Sequence, residues 1–257
     1  MSLSGISWLP PRVRTRWRAC CSAFGFVLML LSAVTEATAW QLPTRHALRR
    51  SAEALRLPAG LDAFEVTLFG KARVGAGEET APVGVRWSFA RSAHRAAATF
   101  AWQGRSSLSW VRGDTRPPRA DGPTAAEAIV LPRLLADADP ATLAQQLGVD
   151  GERHHLALLG DSVADVLGAA SAAERDVPQL WLDHARWYPL RVVFRVQAGA
   201  SPGPLTRIDL LDWDTGPSGI PCPRRIVVHE GGRWVRTYEL EPARPAQPSQ
   251  PSRLVQP

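Results

Sequence analysis

The hydrophobic period of the chain changes twice, and the changes divide it into three parts. In "FEVTLFGKARV" (64–74), "VGVRWSF" (83–89), "AATFAW" (97–102) and "SLSWVR" (107–112), apolar side chains fall on every second residue. Val83, Val85, Trp87 and Phe89 point one way, for instance, and Gly84, Arg86 and Ser88 the other. A period of two is the signature of a half-buried strand, so these segments predict four antiparallel strands. From Gly113 to Pro123 the chain turns polar and the period lengthens. Thr124 and Glu127 have the spacing of a capping box that opens "AEAIVLPRLLADA", a helix that Pro132 is expected to break or kink. Asp139 as N-cap, Pro140 in the first turn and Gly148 as stop bracket a second helix over "ATLAQQL". Beyond Asp150 alternation returns in "RHHLALLG", "SVADVLGA", "PQLWLDH", "YPLRVVFRV", "LTRIDLLDW", "RRIVVHE" and "RWVRTYELE". Their connectors, Gly160-Asp161, Pro217-Ser218-Gly219 and Gly231-Gly232, carry turn chemistry.

The expected fold class is therefore α+β: about eleven antiparallel strands in two meanders around a helical insert. Ahead of the first meander, Leu48, Ala52 and Leu55 recur at helical spacing opposite Arg45, Arg49, Glu53 and Arg56, which predicts an amphipathic helix over 44–57. Some strands are apolar on both sides. Leu190, Val192, Phe194 and Val196 oppose Val193, while Ile208 and Leu210 oppose Leu211 and Trp213. Two arrangements satisfy this pattern: a sheet covered on both faces, or a curved sheet whose concave face holds an apolar ligand. After Glu241 the Pro/Gln/Ser-rich residues 242–257 have too little apolar content to fold and read as a disordered tail.

The N-terminus changes the compartment. Arg12, Arg14, Arg16 and Arg18 precede the apolar run Ala23 to Val34 and the small-residue site Ala37-Thr38-Ala39. That is the layout of an export signal, so residues 1–39 are expected to be removed after Ala39, leaving a domain over 40–241 in the periplasm. Of the three cysteines only Cys222 follows that point, which excludes an internal disulfide. The formal charge of +6 shrinks on the same division. Of 30 basic and 24 acidic residues, four arginines and Glu36 belong to the leader, and 26 against 23 remain. Such a near balance argues against a nucleic-acid partner, which needs clustered positive charge.

Candidate chemistry reduces to three short motifs. Asp183–His184 lies between two alternating runs and is read as a hairpin tip, with Asp183 making an Asx turn. His154 and His155, adjacent on a strand, face opposite ways and cannot share a zinc. Gly160-Asp161-Ser162 matches an esterase nucleophile block but falls where a turn is expected; Ser162 with His94 or His229 is the corresponding hydrolase reading. No nucleophile elbow or phosphate-binding loop occurs, and neither a metal site nor a cofactor is expected.

Leu180-Trp181-Leu182-Asp183, then Pro189-Leu190-Arg191, then Pro223-Arg224-Arg225-Ile226 and the closing Tyr238 resemble the hairpins of the outer-membrane lipoprotein-sorting (LolA/LolB-like) periplasmic family. The resemblance implies an unclosed antiparallel β-barrel with a helical lid, acting not as an enzyme but as a monomeric carrier or chaperone for lipoprotein acyl chains or other lipids. Envelope transport proteins would be further partners. On that reading Val83, Val85, Trp87, Phe89, Phe100, Trp102, Leu190, Val192, Phe194, Ile208 and Leu210 wall the ligand cavity, and the helices at 44–57 and 124–147 roof it. The other open readings are a non-binding envelope module on the same scaffold and the serine hydrolase.

Overall fold

The computed structural model describes residues 44–73, 77, 79–91, 95–101, 105–111, 125–198 and 201–246. Each alternating segment forms a strand: β1 (Ala63–Arg73), β2 (Thr80–Arg91), β3 (Arg95–Ala101), β4 (Arg105–Val111), β5 (His154–Leu159), β6 (Ser162–Leu167), β7 (Gln179–Asp183), β8 (Pro189–Ala198), β9 (Ser201–Asp214), β10 (Cys222–Glu230) and β11 (Arg233–Leu240). They build one antiparallel sheet in the order β4-β3-β2-β1-β11-β10-β9-β8-β7-β6-β5. The two meanders thus join through β1, the first strand of one, and β11, the last of the other. Among the described residues β4 and β5 have no further partner, so the barrel is unclosed.

A twelfth strand, β12 (Arg244–Pro245), corrects the expected tail boundary. β11 pairs with β1 only over residues 68–72, which leaves the first part of that edge of β1 unfilled. Arg244 and Pro245 pair with Glu65 and Phe64 there, the Ala246 amide donates to the Ala63 carbonyl at 3.1 Å, and Ala243 is buried. Ladder groups left open on a strand edge attract such a return. Composition alone cannot show it, because the partner is 180 residues away. Residues 1–43 and 247–257 lie outside the described residues, as do Trp102, Thr124 and His94.

Among the described residues three helices accompany the sheet: α1 (Thr44–Ala54), α2 (Ala125–Leu135) and α3 (Pro140–Leu147). α2 and α3 pack on β8, and α3 packs on both other helices. α1 buries Ala47, Ser51 and Leu55, a stripe turned by about one residue from the predicted Leu48, Ala52 and Leu55. α2 runs through Pro132 instead of breaking there. Every residue from Ala126 to Leu135 is buried, so packing on all sides holds the helix despite the missing proline donor. The chain turns only after Leu135, where Ala138 takes φ +51°. α3 is capped as the sequence predicts. The Asp139 carboxylate accepts from the Thr142 amide at 2.9 Å, Pro140 opens the helix, and Gly148 closes it in the left-handed region.

Cys222 is buried at the start of β10, and burial pushes its thiol up to about 12. A thiol held protonated and covered does not react. We therefore expect aromatic disulfide reagents at pH 8 to leave Cys222 unmodified in the folded protein and to label it after denaturation, as read by peptide mapping.

Candidate functional site

Register across the strands sorts the sheet into two chemically different faces. One row, Ala72–Arg236–Val228–Ile208–Val192–Leu180–Leu167–His154, runs from β1 to β5 on the face that meets the helices. The neighbouring row, Lys71–Thr237–Val227–Asp209–Arg191–Trp181–Val166–His155, faces the other way. His154 and His155 therefore point to opposite sides, as adjacent strand residues must. Among the described residues no group of His, Cys, Asp and Glu is arranged to hold a metal ion.

On the helix face, nine of the eleven sequence-predicted wall residues are brought together. Val83, Val85, Trp87, Phe89, Leu190, Val192, Phe194, Ile208 and Leu210 are all buried in one apolar cluster with residues of α1, α2 and α3. Phe100 pairs in register with Trp87, and Trp102 lies outside the described residues. Phe89 stacks on both Phe64 and Trp87, at ring-centroid distances of 4.8 and 5.7 Å. Phe64, Val66 and Leu68 of β1 belong to the same wall and were visible as an alternating run. Within the described residues the side chains of this face and those of the helices form one buried apolar cluster.

One polar cluster interrupts the apolar face. The Arg236 guanidinium donates to both oxygens of Glu127, at 2.6 and 3.3 Å, and to Glu230 at 2.7 Å; the Tyr238 hydroxyl donates to Glu127 at 2.9 Å. Glu127 thus ties α2 to β11 rather than serving only the predicted capping box, whose Thr124 lies outside the described residues. Burial alone would lower the Arg236 pKa, but the Glu127 carboxylate more than offsets it, and the guanidinium is held charged. Burial and the same carboxylate push Tyr238 above its ordinary value. Neither partner could be read from sequence, since Glu127 and Arg236 are 109 residues apart.

The Asp183–His184 motif forms the β7–β8 hairpin tip. The Asp183 carboxylate accepts from the Ala185 and Arg186 amides at 2.9 and 2.7 Å, the expected Asx geometry. His184 instead reaches back to β6, where Asp165 bridges two rings: His184 Nδ1 at 2.7 Å and His154 Nε2 at 3.0 Å. Burial alone would raise the Asp165 carboxyl; the hydrogen bonds to His154 and His184, and then the charge of those rings, more than offset it and hold the carboxyl below the usual carboxylate range. A carboxyl depressed on folding stabilises the fold above its unfolded value near 3.9, and that contribution is lost as pH falls through the folded value. Asp165→Asn is expected to cost about 1–3 kcal/mol at pH 7, nearer the lower figure because the His184 side chain is 42% exposed. The difference from the parent should narrow below about pH 4 in urea melts followed by circular dichroism.

Among the described residues Ser162 and His229, one of the two predicted hydrolase pairs, are not brought together; His94 lies outside them. Gly160, at φ +60°, and Asp161 make the β5–β6 turn ahead of Ser162. His229 stands on β10, four strand spacings from β6 in the sheet order, or roughly 19 Å at about 4.8 Å each. It accepts from Arg207 rather than from a serine.

No family model matches the chain, and no curated protein matches it by sequence. Solved structures do. An outer membrane lipoprotein-sorting protein domain from Vibrio parahaemolyticus aligns with a TM-score of 0.50 and 9% identity, over 78% of this chain and 92% of its own. A LolA superfamily protein from Nitrosomonas europaea aligns at 0.43 and 13%, over 80% and 95%. A DUF1329 family protein from Desulfovibrio piger aligns at 0.42 and 10%, over 79% and 93%. The alignment with the Vibrio domain establishes the class of fold: an unclosed antiparallel barrel with helices on one face, the LolA-like architecture that the hairpin motifs implied.

Proposed function

We propose that this chain is an exported periplasmic carrier or chaperone that holds lipoprotein acyl chains, or another lipid, between the helix-facing side of its sheet and α1–α3. One observation carries the reading: an apolar surface, interrupted by the Glu127–Arg236 cluster, spans most of the sheet and is roofed, among the described residues, by helices. Transfer of about 15 methylenes of one acyl chain, at about 0.8 kcal/mol each, supplies on the order of 12 kcal/mol toward parting the helices from the sheet. Such a site needs greasy walls and a movable roof; it needs neither catalytic residue nor cofactor, and the carrier works as a monomer alongside envelope transport proteins. The candidate walls are the eleven residues named from the sequence. No described helix is long and apolar enough to cross a membrane, which suits a carrier that travels between membranes.

Native mass spectrometry of protein purified from the periplasm tests this directly. Bound lipid, together with saturable uptake of a fluorescent fatty acid, is the expected result. A lipid-free preparation that ignores fatty acids would overturn it. The close packing of the nine walls favours a second reading in that event, a non-binding envelope module whose interior is simply a core.

A further inference from the structure

The face of the sheet turned away from the helices holds a cleft of about 550 Å³, within the range of small-molecule sites. Its roof is the loop between β6 and β7. Gly168 pinches the base of that loop: its φ is +98°, and a Cβ there would lie 2.2 Å from the Pro178 carbonyl oxygen. Glu174 fastens the loop from inside, accepting from Arg153 and, at 3.0 Å, from the Ala170 amide. The floor is made by β7 to β10. Arg191 lies over the Trp181 ring at 4.8 Å, and Asp209 stands between the guanidinium groups of Arg191 and Arg207.

The polar groups of this cleft are unevenly matched. Arg175 joins Arg191 and Arg207 on its lining, while the acids are Asp176 and Glu174, the latter already taken up by Arg153. Asp209 must serve two arginines at once. Arg207 Nε is buried without a hydrogen-bond partner; it lies 3.3 Å from Asp209, but out of line. His155 Nδ1 faces the Ala169 carbonyl at 2.9 Å, and its Nε2 is likewise buried and unpaired. Burial lowers the Arg207 pKa from its ordinary value; the Asp209 charge offsets this only in part, and the Arg191 charge adds to the lowering. Burial and then Arg207 lower His229 as well, which keeps its ring a neutral neighbour. Such a cluster gains from an incoming negative charge. Beside it, Val193 and Leu205 add an apolar wall.

We propose that this outer-face cleft binds the acidic group, phosphate monoester or carboxylate, of a small amphiphile, with Arg207 and Arg191 on the acid and Val193 and Leu205 along its apolar part. The site is separate from the inner surface proposed for acyl chains, so either can fail alone.

Calorimetric titration with octyl phosphate, octanoate, inorganic phosphate and octanol tests it. Octyl phosphate and octanoate should bind at least tenfold more tightly than octanol, and more tightly than inorganic phosphate. Arg207→Gln should weaken octyl phosphate about tenfold. Arg175→Glu, on the exposed roof and without a structural tie beyond the Ala172 carbonyl, should do the same with an unchanged melting temperature. Octanol binding as tightly as octyl phosphate, or octyl phosphate affinity that survives Arg175→Glu in a folded protein, overturns the proposal. A parallel titration of the Arg175→Glu variant with a fluorescent diacylglycerol, which has acyl chains but no acidic group, should be unaffected, which keeps this result distinguishable from that of the inner site.

Discussion

Arg236→Met is expected to lower the free energy of unfolding by about 3–5 kcal/mol, the cost of leaving a buried carboxylate without its cation. Arg236 is 6% exposed and Glu127 1%, so solvent cannot take over the missing charge. Among the described residues only the Tyr238 hydroxyl, at 2.9 Å, would still donate to Glu127. Methionine keeps most of the apolar stem, so the loss reports the charge rather than a cavity. The double variant Glu127→Gln/Arg236→Met should regain part of it, because a neutral amide is far less costly to bury than an unpaired carboxylate. Because the Arg236 pKa is raised on folding, its contribution persists through neutral pH and fades only in strong alkali, above the ordinary guanidinium value. Urea melts of the three proteins at pH 7 check the order. The single variant should also bind more of a hydrophobic dye, since it removes the ionic tie between α2 and β11.

Gly70→Ala, one added methyl group, should cost at least the upper end of the about 1–3 kcal/mol typical of overpacking. A Cβ at Gly70 would lie 1.8 Å from the Thr237 carbonyl oxygen and 2.9 Å from the Tyr238 Cα. Both atoms are backbone, so no rotamer change makes room; β1 and β11 must separate. This is the junction of the two meanders, where Gly70 pairs with Tyr238 and Lys71 with Thr237. A shift there also drags Tyr238 from Glu127, coupling this loss to the first. Thermal melts, with Gly84→Ala on β2 as control, check it: a Cβ at Gly84 meets only Phe69 Cδ1, at an ordinary 3.8 Å.

Local rules were readable wherever the determining residues are neighbours in sequence. The strand pattern, the Asp139–Pro140–Gly148 bracket of α3 and the Asx turn at Asp183 each depend on residues a few positions apart. The shared face was readable too, since alternation places Val83, Val85, Trp87 and Phe89 on one side whatever the topology. Features whose partners are distant in sequence were not. Pro132 was expected to break or kink a helix that runs through it, sustained by burial on every side. Glu127 was assigned to a local cap, yet it faces Arg236. The two histidines that looked idle, His154 and His184, converge on Asp165, one from β5 and the other from the β7–β8 turn.

The order of apolar and polar residues thus determined, without further help, which segments are strands, which are helices and which strand positions share a face, because a period of two or 3.6 is a property of the local chain. Only the tertiary structure decided that β1 meets β11, that β12 completes the edge of β1, that the helices close over one face, and that Arg191 and Arg207 gather under a loop on the other. Those outcomes depend on which surfaces meet, and pairing energies between residues a hundred positions apart leave no local trace in the sequence.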